Sequence, residues 1–146
     1  MKKLILTLAL ISSSSAFAAT EVWEGAGSLF DVQGNTIGDY QLKVENSKDG
    51  NKTQSQVTIT LPKGQIITEN CSITNDEKGW KSECGPSKGG GQCLGEGLCI
   101  SYEEDGTGKA YATTIVMDGP SDMRMLRTEL QAGKAVRLYR EKLHKK

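Results

Sequence analysis

Residues 39–61 read DYQLKVENSKDGNKTQSQVTITL, and apolar side chains occupy every second position in two parts of this stretch. One part is Asp39–Glu45 and the other is Thr53–Leu61. The alternating apolar residues are Tyr40, Leu42, Val44, Val57, Ile59 and Leu61. Because neighbouring residues of a strand point to opposite faces of a sheet, this pattern predicts strands with one buried and one exposed face.

Further strands are predicted on both sides of this stretch, where β-branched and aromatic residues lie between turn-forming residues. They are Thr20–Phe30, Gln65–Ile73, Trp80–Cys84, Leu98–Glu103 and Lys109–Met117. About eight or nine short strands at intervals of about ten residues are typical of antiparallel barrels and sandwiches. We therefore predict an all-β fold, a small antiparallel up-and-down β-barrel. The alternative is a β-sandwich with a C-terminal helical segment.

Two segments depart from simple alternation. Gly85–Gly97 contains six glycines and one proline, which predicts a loop rather than a strand. Residues 122–146 are rich in good helix formers, but Gln131–Lys134 resembles a hairpin turn and Val136–Tyr139 has β character. For this last segment we favour a hairpin and keep a helix as the alternative.

The start of the chain has the features of a secretory signal peptide. Met1–Lys3 is basic, Leu4–Ile11 is apolar, and Ala16–Ala18 has the A-x-A form of a processing site. This arrangement predicts a signal peptide over residues 1–18 and a single mature domain over residues 19–146. The apolar run is too short for a permanent membrane span, so we expect a periplasmic or secreted protein.

Composition excludes several kinds of function. The 146 residues carry a formal net charge of zero and include one histidine, His144, two residues before the C-terminal Lys146. Histidine triads and multi-histidine metal sites are therefore excluded, and we expect no catalytic residues, no metal and no cofactor. From Arg124 onward there are eight basic and two acidic residues, which fits either a solvated basic face or a site for an anionic molecule. Nucleic acid is not an expected partner in an exported protein.

Four cysteines lie in one central stretch of the chain, at Cys71, Cys84, Cys93 and Cys99. An even number in an exported chain predicts two disulfides. The spacing contains no C-x-x-C pair and no histidine lies nearby, so a zinc site is not expected. We favour the local pairs Cys71–Cys84 and Cys93–Cys99, with Cys71–Cys99 around Cys84–Cys93 as an alternative.

Two short motifs resemble those of the calycin barrels, the lipocalins and fatty-acid-binding proteins. Trp23–Gly27 (WEGAG) resembles the first strand of that superfamily, and Arg137-Leu138-Tyr139 resembles the Arg-x-Tyr of the last strand in fatty-acid-binding proteins. In those proteins the arginine and tyrosine hold the ligand's carboxylate. The resemblance therefore implies a ligand site at Arg137, Tyr139 and Trp23. Since residues two apart on a strand share a face, Arg137 and Tyr139 could act together.

Two functions are compatible with these observations. The first is an exported binding barrel for an apolar or amphipathic small molecule, which could also be anionic. The second is a cell-envelope interaction protein, such as an inhibitor of a host hydrolase, that presents the Gly85–Gly97 segment as a rigid loop to a protein partner. An enzyme is not expected, because no acid–base pair or nucleophile can be identified.

Overall fold

A computed structural model describes residues 20–146, and every regular element in this range is a β-strand. The ten strands are β1 (Thr20–Phe30), β2 (Thr36–Asp49), β3 (Lys52–Thr60), β4 (Ile66–Asp76), β5 (Gly79–Cys84), β6 (Ser87–Gly95), β7 (Leu98–Glu104), β8 (Lys109–Met117), β9 (Asp122–Gln131) and β10 (Lys134–Lys145). The predicted signal peptide over residues 1–18 lies outside the described residues.

The strands form one closed antiparallel barrel. Each strand pairs with the next along the chain, and β1 pairs with β10 from Trp23↔Lys145 to Phe30↔Leu138. Closure gives every strand two neighbours and leaves no exposed sheet edge. The predicted all-β up-and-down barrel is confirmed, while the alternative of a sandwich with a helical segment is wrong. The barrel has ten strands rather than eight or nine.

The additional strand is β6, which lies in the segment predicted to be a loop, Gly85–Gly97. The loop prediction was wrong because glycines of this segment allow the neighbouring strands to pack closely together. A Cβ atom on Gly90 would lie 2.3 Å from the carbonyl oxygen of Trp80, and one on Gly91 would lie 2.2 Å from the Trp80 ring. Side chains at these positions would therefore push β6 away from β5. The segment is consequently not the exposed rigid loop on which the interaction-protein hypothesis relied.

Residues 122–146 form the hairpin of β9 and β10, as predicted. The two residues between the strands, Ala132 and Gly133, have φ angles of 49° and 77°. Positive φ at both central positions is the mark of a type I′ turn, whose twist matches that of the flanking strands. The helical preference of this segment is overridden because β9 pairs with β8 and β10 pairs with β1.

Both disulfides join neighbouring strands at directly opposite positions. Cys71–Cys84 links β4 to β5, and Cys93–Cys99 links β6 to β7. The favoured local pairing is therefore confirmed, and the nested alternative is excluded.

The core fills the inside of the barrel with apolar side chains from nearly all strands. Among its most buried members are Trp23, Val44, Val57, Ile73, Cys84, Met123 and Leu143. Within residues 20–146 there is no helix with the length and hydropathy needed to cross a bilayer.

Candidate ligand-binding site

The inward face of β9 changes from apolar to charged along its length. Met123 and Met125 are followed at the same two-residue spacing by Arg127 and Glu129, and all four are buried. Residues two apart on a strand point to the same side, so both charged side chains enter the barrel interior. This part of the interior, where ionisable groups replace hydrocarbon, is the candidate site.

Arg127 is fully buried and forms an ion pair with Glu141 of β10, which is also buried. Nη2 of Arg127 donates to Oε2 of Glu141 at 3.2 Å, and the hydroxyl of Tyr40 donates to Oε1 at 2.6 Å. Both oxygens of the carboxylate are thus occupied. Nε and Nη1 of Arg127, in contrast, have no hydrogen-bond partner within residues 20–146.

The ionisation states of Tyr40 and Arg127 are determined by burial and by the carboxylate of Glu141. Burial raises the pKa of Tyr40 well above its ordinary value, and Glu141 raises it further, so Tyr40 remains a neutral donor. Burial alone would lower the pKa of Arg127, but Glu141 and the other acidic groups nearby outweigh it and raise that pKa. Arg127 is therefore charged at neutral pH.

Gly27 of β1 makes the contact between Tyr40 and Glu141 possible. Gly27 pairs with Tyr40 on one side and with Glu141 on the other, so β1 runs between them. A Cβ atom on Gly27 would lie 2.3 Å from Cζ of Tyr40 and 2.5 Å from its hydroxyl oxygen. Because glycine has no Cβ, the phenol ring crosses β1 and reaches the carboxylate.

A second buried carboxylate, Glu129, accepts a hydrogen bond from a tyrosine and forms ion pairs with two cations. The hydroxyl of Tyr139 donates to Oε2 at 2.6 Å, Nζ of Lys109 lies 3.0 Å from Oε1, and Nη1 of Arg137 lies 3.7 Å from Oε2. Burial acts to raise the pKa of Glu129, but the hydrogen bonds from Tyr139 and Lys109 outweigh burial and hold that pKa below its ordinary value. Glu129 is therefore ionised at neutral pH.

A third buried carboxylate, Glu103, is less well stabilised in its ionised form. Its Oε1 accepts a hydrogen bond of 2.7 Å from the hydroxyl of Ser82. Burial raises the pKa of Glu103, and the hydrogen bond from Ser82 and the charge of Arg127 offset only part of this effect. Glu103 thus takes up a proton more readily than a glutamate in water.

A pocket of about 260 Å³ opens at the barrel mouth near the β1–β2 and β3–β4 turns. Its walls are mainly apolar and include Leu29, Ile37, Tyr40, Leu61 and Pro62, while Lys63 brings one positive charge and Asp39 one negative charge. We call this the mouth pocket. Tyr40 borders the mouth pocket and also bonds to Glu141, so it connects the apolar entrance with the buried ion pair.

Metal binding has no support in the described part of the chain. Within residues 20–146 no group of three or more His, Cys, Asp or Glu side chains is arranged to hold a metal ion. The interior carboxylates are engaged instead with tyrosine, serine, lysine and arginine side chains.

The residues predicted from the sequence occupy two different places. Arg137 and Tyr139 share a face, as predicted, but both are directed at the protein's own carboxylate, Glu129. Tyr139 is buried, whereas the side chain of Arg137 is 41% exposed. Trp23 is buried near the start of β1, away from Leu29 and the mouth pocket at the end of that strand.

Sequence reasoning did not identify Arg127, Glu141 or Tyr40 as a group. Tyr40 was assigned correctly to the buried face of its strand, but the partners lie on β9 and β10, far along the chain. A signal was present in β9, because extending the Met123, Met125 alternation by two and four residues places Arg127 and Glu129 on the buried face.

Comparison with known proteins supports the fold. No family model matches the sequence, and no curated protein is significantly similar to it. Among solved structures, an S-type phycobiliprotein lyase from Guillardia theta is similar, with a TM-score of 0.63 and 10% sequence identity over 86% of each chain. Together with the closed antiparallel barrel, this similarity shows that the chain has a calycin-like fold, as the motifs at Trp23–Gly27 and Arg137–Tyr139 predicted.

Proposed function

We propose that this barrel binds a small apolar or amphipathic molecule, and that its role is binding rather than catalysis. The observation that carries the proposal is the unpartnered half of Arg127. Its Nε and Nη1 groups are buried without an acceptor within residues 20–146. A buried donor without an acceptor costs about 1–3 kcal/mol, and a ligand that supplied an acceptor would remove that cost.

The mouth pocket supports the same proposal, because it could hold the apolar part of the ligand. Its volume of about 260 Å³ and its mainly hydrocarbon walls fit a small apolar body rather than a sugar or a nucleotide. Apolar side chains continue around it, because Val32, Ile37 and Ile66 are all exposed near the same turns. An amphipathic ligand would place its apolar part here and its polar end towards Tyr40.

The solved structure from Guillardia theta is named a phycobiliprotein lyase, and lyase activity is not part of the proposal. At 10% sequence identity, the similarity is evidence for the fold alone. The proposal rests on this chain's own pocket and on Arg127.

Binding can be tested with Nile red, a neutral apolar dye, and with a variant that fills the pocket. Gly38 lines the mouth pocket, and a Cβ atom placed there would meet no atom within 4 Å. We expect Gly38→Trp to project into the pocket and to weaken dye binding by about tenfold or more. Gly95→Trp is the matched control, because Gly95 also has open space around it but lies on β6. Failure of the native protein to bind, or equal binding by both variants, would contradict the proposal.

We also propose that the chain is exported and acts in the periplasm or outside the cell. The two disulfides support this, since such bonds form and persist in oxidising compartments. The mass of the denatured protein from a bacterial periplasm is expected to match residues 19–146 less four hydrogens, two for each disulfide. An uncleaved chain, or one with free thiols, would argue against export.

A further inference from the structure

Arg127, Lys109 and Arg137, the three cations of the candidate site, are each already matched by a carboxylate of the protein. Nη2 of Arg127 lies 3.2 Å from Oε2 of Glu141. Nζ of Lys109 lies 3.0 Å from Oε1 of Glu129, and Nη1 of Arg137 lies 3.7 Å from Oε2 of Glu129. Glu141 and Glu129 therefore occupy the positions beside the cations that a ligand's carboxylate would otherwise take. These three cations therefore leave no unpaired positive charge for an anionic ligand.

Hydrogen-bond donors, unlike positive charge, are left over. Arg127 has unused N–H groups on Nε and Nη1, and the buried indole Nε1 of Trp80 also lacks an acceptor within residues 20–146. Glu141 accepts from Tyr40 and from Nη2 of Arg127, and neither Nε nor Nη1 of Arg127 is among its donors. At these two side chains the unmet requirement is for acceptors, not for negative charge.

The matched cations and the unpaired N–H groups together distinguish a ligand with a carboxylate from a ligand of similar shape with a neutral carbonyl group. A ligand carboxylate at Arg127 would sit beside the buried charge of Glu141, and like charges at such range repel strongly where water is excluded. A neutral carbonyl oxygen accepts the same N–H groups without that repulsion. It also loses less hydration on entering the barrel, because it carries no charge.

We propose that the site selects neutral ligands with a carbonyl-type acceptor over their carboxylate counterparts, and that Glu141 determines this selectivity. This inference rests on the proposed function and specifies the class of ligand. We place the apolar part of the ligand in the mouth pocket and its acceptor at Arg127, which does not line that pocket but is linked to it through Glu141 and Tyr40. The Arg-x-Tyr pair, Arg137 and Tyr139, does not hold the ligand, since Glu129 occupies it.

The test compares octanamide with octanoate, which have the same chain and nearly the same shape but differ in charge. Calorimetric titration of the native protein at neutral pH is expected to show octanamide binding about tenfold tighter or more. Equal binding, or tighter binding of octanoate, would overturn the inference while leaving the proposed function in place. If neither compound binds and Nile red does not bind either, the proposed function fails and the inference fails with it.

A variant identifies the residue responsible. Glu141→Gln keeps an amide oxygen for Tyr40 but removes the negative charge beside Arg127, so the preference is expected to reverse towards octanoate. Glu104→Gln makes the same change in charge at an exposed position of β7 and is expected to keep the native preference. Unchanged selectivity in folded Glu141→Gln would contradict the role of Glu141. If that variant does not fold, the titration of the native protein still decides the ligand class.

Discussion

The ring of Tyr40 lies directly over the backbone of Gly27. A Cβ atom on Gly27 would lie 2.3 Å from Cζ of Tyr40, well inside any allowed contact, and the Tyr40 hydroxyl passes over this position to donate to Glu141 at 2.6 Å. One glycine of β1 thus allows β2 and β10 to share a buried hydrogen bond. Trp80 and Gly91 repeat the arrangement on β5 and β6, where a Cβ on the glycine would lie 2.2 Å from the indole.

Gly27→Ala is therefore expected to displace Tyr40 and to break its bond to Glu141. Overpacking of a core position costs about 1–3 kcal/mol, and leaving a buried polar group unpaired costs about as much again. We expect the free energy of unfolding to fall by about 3 kcal/mol in urea denaturation. Gly38→Ala is the control, because a Cβ there meets no atom within 4 Å. Equal midpoints for the two variants would show that Tyr40 does not depend on Gly27.

The Arg127–Glu141 ion pair predicts non-additive effects of substitution. Each of Arg127→Met and Glu141→Gln leaves a buried group without its partner, at a cost of about 3 kcal/mol in the free energy of unfolding. The double variant removes both charges, so its cost is expected to be smaller than the sum by about 1–3 kcal/mol. Denaturant unfolding of the four proteins measures this coupling. Costs that simply add would mean that the two side chains do not interact energetically.

Much of the fold could be predicted from local patterns. Alternation in Thr53–Leu61 and the turn at Gln131–Lys134 correspond to β3 and to the β9–β10 connection, and adjacent cysteines pair as favoured. These features were accessible because each depends on residues close together in the chain. Local alternation specifies which face is buried, and turn chemistry specifies where the chain reverses.

The candidate site was less accessible because its contacts are distant in sequence. Tyr40 and Glu141 are 101 residues apart, and their contact depends on Gly27 between them and on closure of β1 against β10. Arg137 and Tyr139 were recognised as a pair with a shared face. Their partner could not be inferred, because Glu129 reaches them only through the hairpin register, in which Arg137 pairs with Glu129.

The two buried carboxylates, Glu103 and Glu129, predict opposite dependences of stability on pH. The folded-state pKa of Glu103 is raised above 4.5 by burial, so its contribution is present at low pH and is lost as the pH rises through the raised value. The pKa of Glu129 is lowered despite burial, by Tyr139 and Lys109, so its contribution is present above 4.5 and is lost as the pH falls.

Glutamine variants separate the two effects. At neutral pH, Glu103→Gln is expected to be more stable than the native protein, and Glu129→Gln less stable. Both differences should shrink towards acidic pH, where the native carboxyls are protonated. Unfolding free energies measured from about pH 3 to pH 8 test both signs. A destabilised Glu103→Gln at neutral pH would show that this carboxylate is stabilised rather than strained by its surroundings.

The turn between β9 and β10 carries an avoidable conformational cost. Ala132 has a φ of 49°, and it is the one residue other than glycine with positive φ in residues 20–146. The left-handed region costs a residue with a Cβ about 1 kcal/mol, and asparagine tolerates it better than alanine. Ala132→Asn is therefore expected to stabilise the barrel by about 0.5–1 kcal/mol, which corresponds to a rise in Tm of about 2–4 °C. Ala135→Asn introduces the same side chain on β10 outside the turn, so it should show no such gain. A thermal scan in which Ala132→Asn melts at or below the native Tm would mean that this turn does not hold Ala132 in the left-handed region.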